Sequence, residues 1–344
     1  MTNLPDLFSS DAGSPRLVDS FQRKISYLRL SVTDRCDLRC TYCMPERMQF
    51  LPRKEILSLE ELYDLCVGFI ERGVTKIRLT GGEPLVRRDV IDLIRSLGKK
   101  LDEGLEELTL TTNGTQLGKY AEDLFRSGVR RVNVSLDTRN PEKFERLSRR
   151  NALDKVLDGL SAAKQVGLRI KINTVALKGV NEHELTDLIA WSHGQGFDHT
   201  LIEVMPLGEI DEDRVDHFLP LSSVRRQLEK HWTLIPIEET TGGPAKYDRI
   251  EETGGRLGMI TPLTNNFCAN CNRLRVTATG QLYPCLGGAE KVDLRAALRS
   301  AQASKNLEAA LRQAMLIKPK RHHFQISERG SAPAQARHMS VTGG

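Results

Sequence analysis

The sequence predicts an α/β protein, an incomplete (β/α)6 TIM-type barrel with a smaller C-terminal region covering its open side. Three observations carry this. Short β-branched strands alternate with helical segments in βα order, the pattern of a parallel sheet. The residues able to do chemistry fall late in a strand or just after one, where such barrels build their sites. After about Pro220 the alternation fades, leaving loops and short strands from Gly242-Gly243-Pro244 to Cys285.

Six strands are predicted: Tyr27–Val32, Lys76–Thr80, Leu108–Thr112, Arg131–Ser135, Arg169–Val175 and Leu201–Val204. Helical apolar spacing marks Leu59–Glu71, Val86–Leu97, Leu153–Val166 and Glu182–Trp191, each after a plausible turn. Cys66 shares a helical face with Leu62, Phe69 and Ile70, as a core thiol does. Farther on, Leu307, Leu311 and Met315 form one face of a helix, and the basic run Lys318 to His323 reads as a solvated surface. The organisation predicted is a flexible segment 1–19, a partial barrel 20–235, a C-terminal region 236–330 and a tail 331–344. That tail is expected to be mobile unless Gly343-Gly344 is held in a pocket.

With 39% hydrophobic and 28% charged residues, the 344-residue chain has globular composition, too apolar for disorder and too charged for a membrane protein. Fifty Lys and Arg against 45 Asp and Glu leave a net charge of +5, too mild to coat nucleic acid, so any anion site is local. The N-terminal stretch lacks the pattern of a leader, and no run approaches a membrane span, which predicts a soluble cytoplasmic protein.

Six of the seven cysteines fall in two groups. Cys36, Cys40 and Cys43 share one loop directly after the first strand. Structural zinc usually takes pairs of ligands from two knuckles, four in all, so three thiols in one loop suit an iron–sulfur cluster with one iron left open. Cys268, Cys271 and, after thirteen intervening residues, Cys285 form the second group. A zinc site completed by His322 or His323 and a second open cluster are both compatible with that spacing. Arg273 and Arg275 follow Cys271 closely and share a face if that segment is a strand.

The Cys-x-x-x-Cys-x-x-Cys loop, with Tyr42 before Cys43 and Gly81-Gly82-Glu83-Pro84 after the second strand, resembles the radical S-adenosylmethionine (SAM) superfamily. The segment Phe267 to Val276, Pro284-Cys285-Leu286, the Gly243-Pro244-Ala245 loop and the terminal Gly343-Gly344 are similar to its GTP-cyclising branch, which serves molybdenum cofactor biosynthesis. The resemblance runs from about Leu28 to Gly344 and implies two [4Fe–4S] clusters, on Cys36, Cys40 and Cys43 and on Cys268, Cys271 and Cys285. It implies that SAM, cleaved by one electron, gives a 5'-deoxyadenosyl radical that takes hydrogen from C3' of GTP before the ribose closes on C8. Tyr42, Gly82, Ser135 and Met205 would hold SAM. GTP would lie among Arg29, Arg78, Thr111, Lys171, Arg273, Leu274 and Arg275, with Arg273, Arg275, Gly343 and Gly344 acting in catalysis. The partners implied are an electron donor and a cyclic pyranopterin monophosphate synthase that takes the product. No nucleic acid and no membrane are expected, and the chain is a monomer or homodimer.

Each residue also has a plainer reading. A lone Arg on a strand is more often an ion-pair partner than a phosphate ligand, and Gly-Gly-Glu-Pro alone could be an ordinary turn. Two functions compete with the cyclisation: a radical SAM enzyme that modifies a peptide, and a zinc-stabilised protein that binds nucleic acid.

Overall fold

The computed structural model describes residues 16–211, 214–265, 267–322, 324, 326 and 332–343. Gly344, His323 and most of the segment 1–19 lie outside the described residues.

Alternation within the strands determines how the sheet is used. In β1 (Tyr27–Ser31), β2 (Lys76–Thr80), β3 (Glu107–Thr112), β4 (Arg131–Ser135) and β5 (Arg169–Ala176), aliphatic side chains alternate with polar ones. Leu28, Leu30, Ile77, Leu79, Leu108, Leu110, Val132, Val134, Ile170 and Ile172 join one core cluster with the helices. Full burial of each such side chain contributes about 2 kcal/mol. Successive side chains in a strand point to opposite faces, so Tyr27, Arg29, Arg78, Thr109, Asn133 and Lys171 share the other face, and they too are buried. A polar inner face fits an interior built to hold a ligand, unlike the packed apolar interior of an ordinary barrel.

β1 to β5 and β6 (Asp198–Glu203) run parallel in sequence order. The remaining strands are β7 (Leu234–Ile237), β8 (Lys246–Ile250), β9 (Arg256–Ile260), β10 (Arg273–Val276), β11 (Gln281–Tyr283) and β12 (Val292–Asp293). The predicted C-terminal cover takes a different form from a separate layer. β9 adds parallel to β6 and β10 adds parallel to β1, giving one open twelve-stranded sheet in the order β12-β11-β10-β1-β2-β3-β4-β5-β6-β9-β8-β7. The chain between β9 and β10 therefore passes from one edge of the barrel to the other, and it carries Cys268 and Cys271.

Helix Leu59–Ile70 starts in a capping box between Ser58 and Glu61 and buries Cys66. The predicted helix Val86–Leu97 is a 3-10 turn, Pro84–Val86, then a helix Val90–Gly98, because Asp89 takes a left-handed φ of 59° between them. Helices Leu117–Arg126 and Pro141–Ser148 complete the βα units after β3 and β4. Helix Ala303–Ile317 buries Leu307, Leu311, Ala314 and Met315 as its spacing predicts. Among the described residues no helix is long and apolar enough to cross a membrane.

Candidate active site

Two cavities meet inside the sheet, with about 1110 and 1030 Å³ of empty space, and they share Asn173, Ile202, Met205 and Met339 as walls.

The first cavity opens where β1 to β6 end. Cys36, Cys40, Cys43, Tyr42, Gly82, Ser135 and Met205 line it, so the predicted cluster and SAM residues come together there. The fold itself calls for glycine at 82. A Cβ there would sit 2.3 Å from the carbonyl oxygen of Arg35, so the missing side chain lets the cysteine loop itself lie close. Gly82 N donates to Thr33 O at 3.0 Å and Glu83 N to Arg35 O at 2.8 Å, tying that loop to the turn. The fully buried Glu83 carboxylate accepts from Leu85 N, Thr112 Oγ1 and Asn113 N, at 3.0, 2.8 and 2.6 Å, and burial raises it to about 7. Tyr42 donates through its hydroxyl to Asp137 Oδ2 at 2.6 Å, a bond the sequence reading did not anticipate.

None of the three cysteines is in a disulfide among the described residues. Burial pushes Cys36 up to about 12, with Glu83 and Cys43 adding to the effect, and burial raises Cys40 well above its ordinary value. Ionising them together needs a positive centre, which iron supplies. Among the described residues no group of three His, Cys, Asp or Glu side chains closes on a single ion. Three cysteines on one cavity wall fit a cluster with one iron left open.

The second cavity lies deeper. Arg29, Arg78, Lys171, Arg273 and Arg275 line it with Tyr27, Cys268, Cys271 and Cys285. Register places Arg275, Arg29 and Arg78 side by side on β10, β1 and β2. Directly opposed like charges destabilise a sheet, and these are buried as well. Among the described residues no carboxylate forms an ion pair with any of the five cations, whereas Glu107 pairs with Lys76 and Arg131 nearby. Burial and Arg275 hold Arg29 well below its ordinary value, and burial with Arg273 lowers Arg275 to about 9. With its amide rotated by half a turn, Asn133 presents its oxygen to both terminal nitrogens of Arg78, at 2.8 and 3.0 Å. A bound polyanion would relieve this uncompensated charge.

Two predicted GTP contacts fall elsewhere. Thr111 lines the first cavity, and Leu274 points into the core between Arg273 and Arg275. Gly343 packs against Thr80, where a Cβ would come within 1.9 Å of Oγ1, and its φ of 74° favours glycine. Its carbonyl accepts from Arg275 Nη1 at 2.6 Å. The tail is thus held at the cavity, with Met339 in both walls.

The reading of Lys318 as solvated is corrected: it is 2% exposed and its Nζ lies 3.6 Å from Cys271 Sγ. Burial raises the Cys271 thiol, but Lys318 and Arg273 outweigh it and bring the group down to about 7. His322, one of the residues considered for zinc, lines the same cavity and stacks near Phe324, with ring centroids 4.7 Å apart.

Two family models match the chain, the Radical SAM superfamily over residues 30–192 and Molybdenum Cofactor Synthesis C over 197–324. The chain is 69% identical over 328 residues to a GTP 3',8-cyclase of Erythrobacter litoralis (strain HTCC2594), covering 95% of this chain and 98% of that one. The chain belongs to the GTP 3',8-cyclase family. A second member of the family, from Rhizobium etli (strain CIAT 652), is 58% identical over 95% of this chain and 94% of its own. Among solved structures, Streptococcus suis SuiB bound to S-adenosylmethionine matches with a TM-score of 0.57 at 15% identity, over 78% of this chain and 63% of that longer one. Native anSMEcpe with bound AdoMet matches with a TM-score of 0.55 at 16% identity, over 83% of each chain. These two likenesses concern the fold.

Proposed function

We propose that the chain is a radical SAM enzyme that converts GTP to (8S)-3',8-cyclo-7,8-dihydroguanosine 5'-triphosphate in molybdenum cofactor biosynthesis. The observation that carries this reading is a pair of adjoining cavities, each lined by three cysteines outside any disulfide, the deeper one also ringed by cations that have no carboxylate ion-pair partner among the described residues.

Cys36, Cys40 and Cys43 would hold one [4Fe–4S] cluster, and Cys268, Cys271 and Cys285 a second, which would supply a binding point for the guanine. With SAM bound at the first, one-electron cleavage would supply the radical that removes hydrogen from C3' of GTP, and after closure on C8 a second electron from the donor with a proton would complete the 7,8-dihydro product. Tyr42, Gly82, Ser135 and Met205 surround the SAM end, while Arg29, Arg78, Lys171, Arg273 and Arg275 neutralise the triphosphate. Ile202, Met205 and Met339 stand with Asn173 in the shared wall, so the substrate would meet the SAM site across a mostly apolar partition. Arg273 and Arg275 with Gly343 would close the substrate end, and Gly344, outside the described residues, is proposed to act in catalysis with them. The barrel 20–235, the region 236–330 and the tail 331–344 then act as one unit, served by an electron donor and passing product to a cyclic pyranopterin monophosphate synthase.

GTP carrying deuterium at C3' tests the reading. Anaerobic reaction with SAM and reductant is expected to give 5'-deoxyadenosine with one deuterium by mass spectrometry, and unlabelled 5'-deoxyadenosine alongside cyclised product would contradict it.

Tyr27 belongs with the substrate residues. Its hydroxyl is buried in the cation-lined cavity and makes no hydrogen bond among the described residues. A hydrogen bond to a charged group contributes about 1.5 kcal/mol, so Tyr27→Phe is expected to raise KM for GTP roughly tenfold with iron content unchanged. GTP saturation kinetics check this, and an unmoved KM would remove Tyr27 from the set.

A further inference from the structure

We propose that Lys318 is a positioning residue for the second iron–sulfur cluster: it locks the two arms of the cysteine group together and raises that cluster's reduction potential. The inference rests on the two-cluster reading.

Lys318 is the first residue beyond helix Ala303–Ile317, whose buried Leu311, Ala314 and Met315 fix where its side chain starts. An ammonium has three protons, and the structure offers three acceptors. Nζ donates to Cys271 Sγ at 3.6 Å, to Arg273 O at 2.9 Å and to Pro284 O at 2.7 Å. The first two belong to the Cys268–Cys271 arm and the third to the Cys285 arm. The following residues are tied in as well. Arg23, paired with Asp19, donates to Pro319 O, Lys320 O and Cys268 O at 2.7, 3.0 and 2.9 Å.

A 2% exposed ammonium is costly unless negative charge stands beside it. Among the described residues Lys318 has no carboxylate partner within ion-pair distance, so that charge comes from sulfur. Hydrogen bonds to cluster sulfurs and nearby net charge set the potential, and a cation favours the reduced form, which carries one more electron. Lys318 therefore makes the second cluster easier to reduce than three thiolates in this buried cavity would leave it.

The test uses the reconstituted full chain and potentiometric electron paramagnetic resonance (EPR), with the first cluster as internal reference. In Lys318→Met the ratio of reduced to oxidised second cluster at fixed potential is expected to fall about tenfold, which is ~59 mV for one electron. The first cluster should not move, and Lys318→Arg, which keeps the charge, should stay close to the parent. Loss of the second cluster in the Met variant but not in the Arg variant also supports the charge role. An unmoved potential in Lys318→Met overturns the proposal, as does equal failure of both variants, which marks a steric role only. Wild-type protein with four irons would overturn the two-cluster reading and this proposal together. Eight irons with an unmoved potential would overturn this proposal alone.

Discussion

Replacing Cys268, Cys271 or Cys285 by alanine is expected to abolish conversion of GTP while leaving reductive cleavage of SAM measurable. The basis is spatial: these thiols line the deeper cavity, and Cys36, Cys40 and Cys43 line the other. Losing one thiolate removes the anchor that aligns guanine with the SAM site, and misplacement by about 1 Å at a reacting centre can cost roughly 10²-fold in rate. Product should therefore fall by more than roughly 10²-fold, as read by chromatography of the cyclised nucleotide. 5'-Deoxyadenosine should still accumulate with reductant. Loss of both activities together would contradict separate roles for the two groups.

Deleting Gly343 and Gly344 is expected to stop product formation with iron content intact. Gly343 fills a slot that admits no Cβ, and its carbonyl anchors the Arg275 guanidinium beside Arg29. Without that anchor the Arg275 side chain is free to swing, and the row of cations loses its alignment with the triphosphate. Gly343→Ala, which meets Thr80 Oγ1 at 1.9 Å and must adopt a φ of 74°, should act in the same direction, with a loss of about 10²-fold in kcat. A fully active truncation would show the tail to be dispensable.

Much of this arrangement is legible in the chain itself. The cysteine groups can be read because cluster ligands are close in sequence, and the barrel strands because aliphatic residues recur with period two. The same period singles out Tyr27 and Asn133, since Tyr-Leu-Arg-Leu-Ser and Arg-Val-Asn-Val-Ser place them on the face of Arg29 and Ser135. Lys318 was not legible. A basic run reads as solvated, and only the end of a distant helix meeting two cysteine arms buries one of its members. Gly82 was recognised, but the partner it approaches, the Arg35 carbonyl, is fixed by the fold of the cysteine loop rather than by the motif. The edge positions of β9 and β10 likewise depend on pairings between segments far apart in sequence, which local periodicity does not encode. The helix Leu117–Arg126 escaped because only Leu117, Ala121 and Leu124 are buried along it, a thin apolar stripe among polar residues.

The most direct test of the central claim is iron and sulfide content of anaerobically purified protein, with EPR spectra recorded with and without GTP. About eight irons per chain and a signal that changes on adding GTP are the predicted result, since each full cluster holds four irons and the second would lie against the substrate. About four irons with one zinc, and a spectrum indifferent to GTP, would contradict the account by making Cys268, Cys271 and Cys285 a structural site.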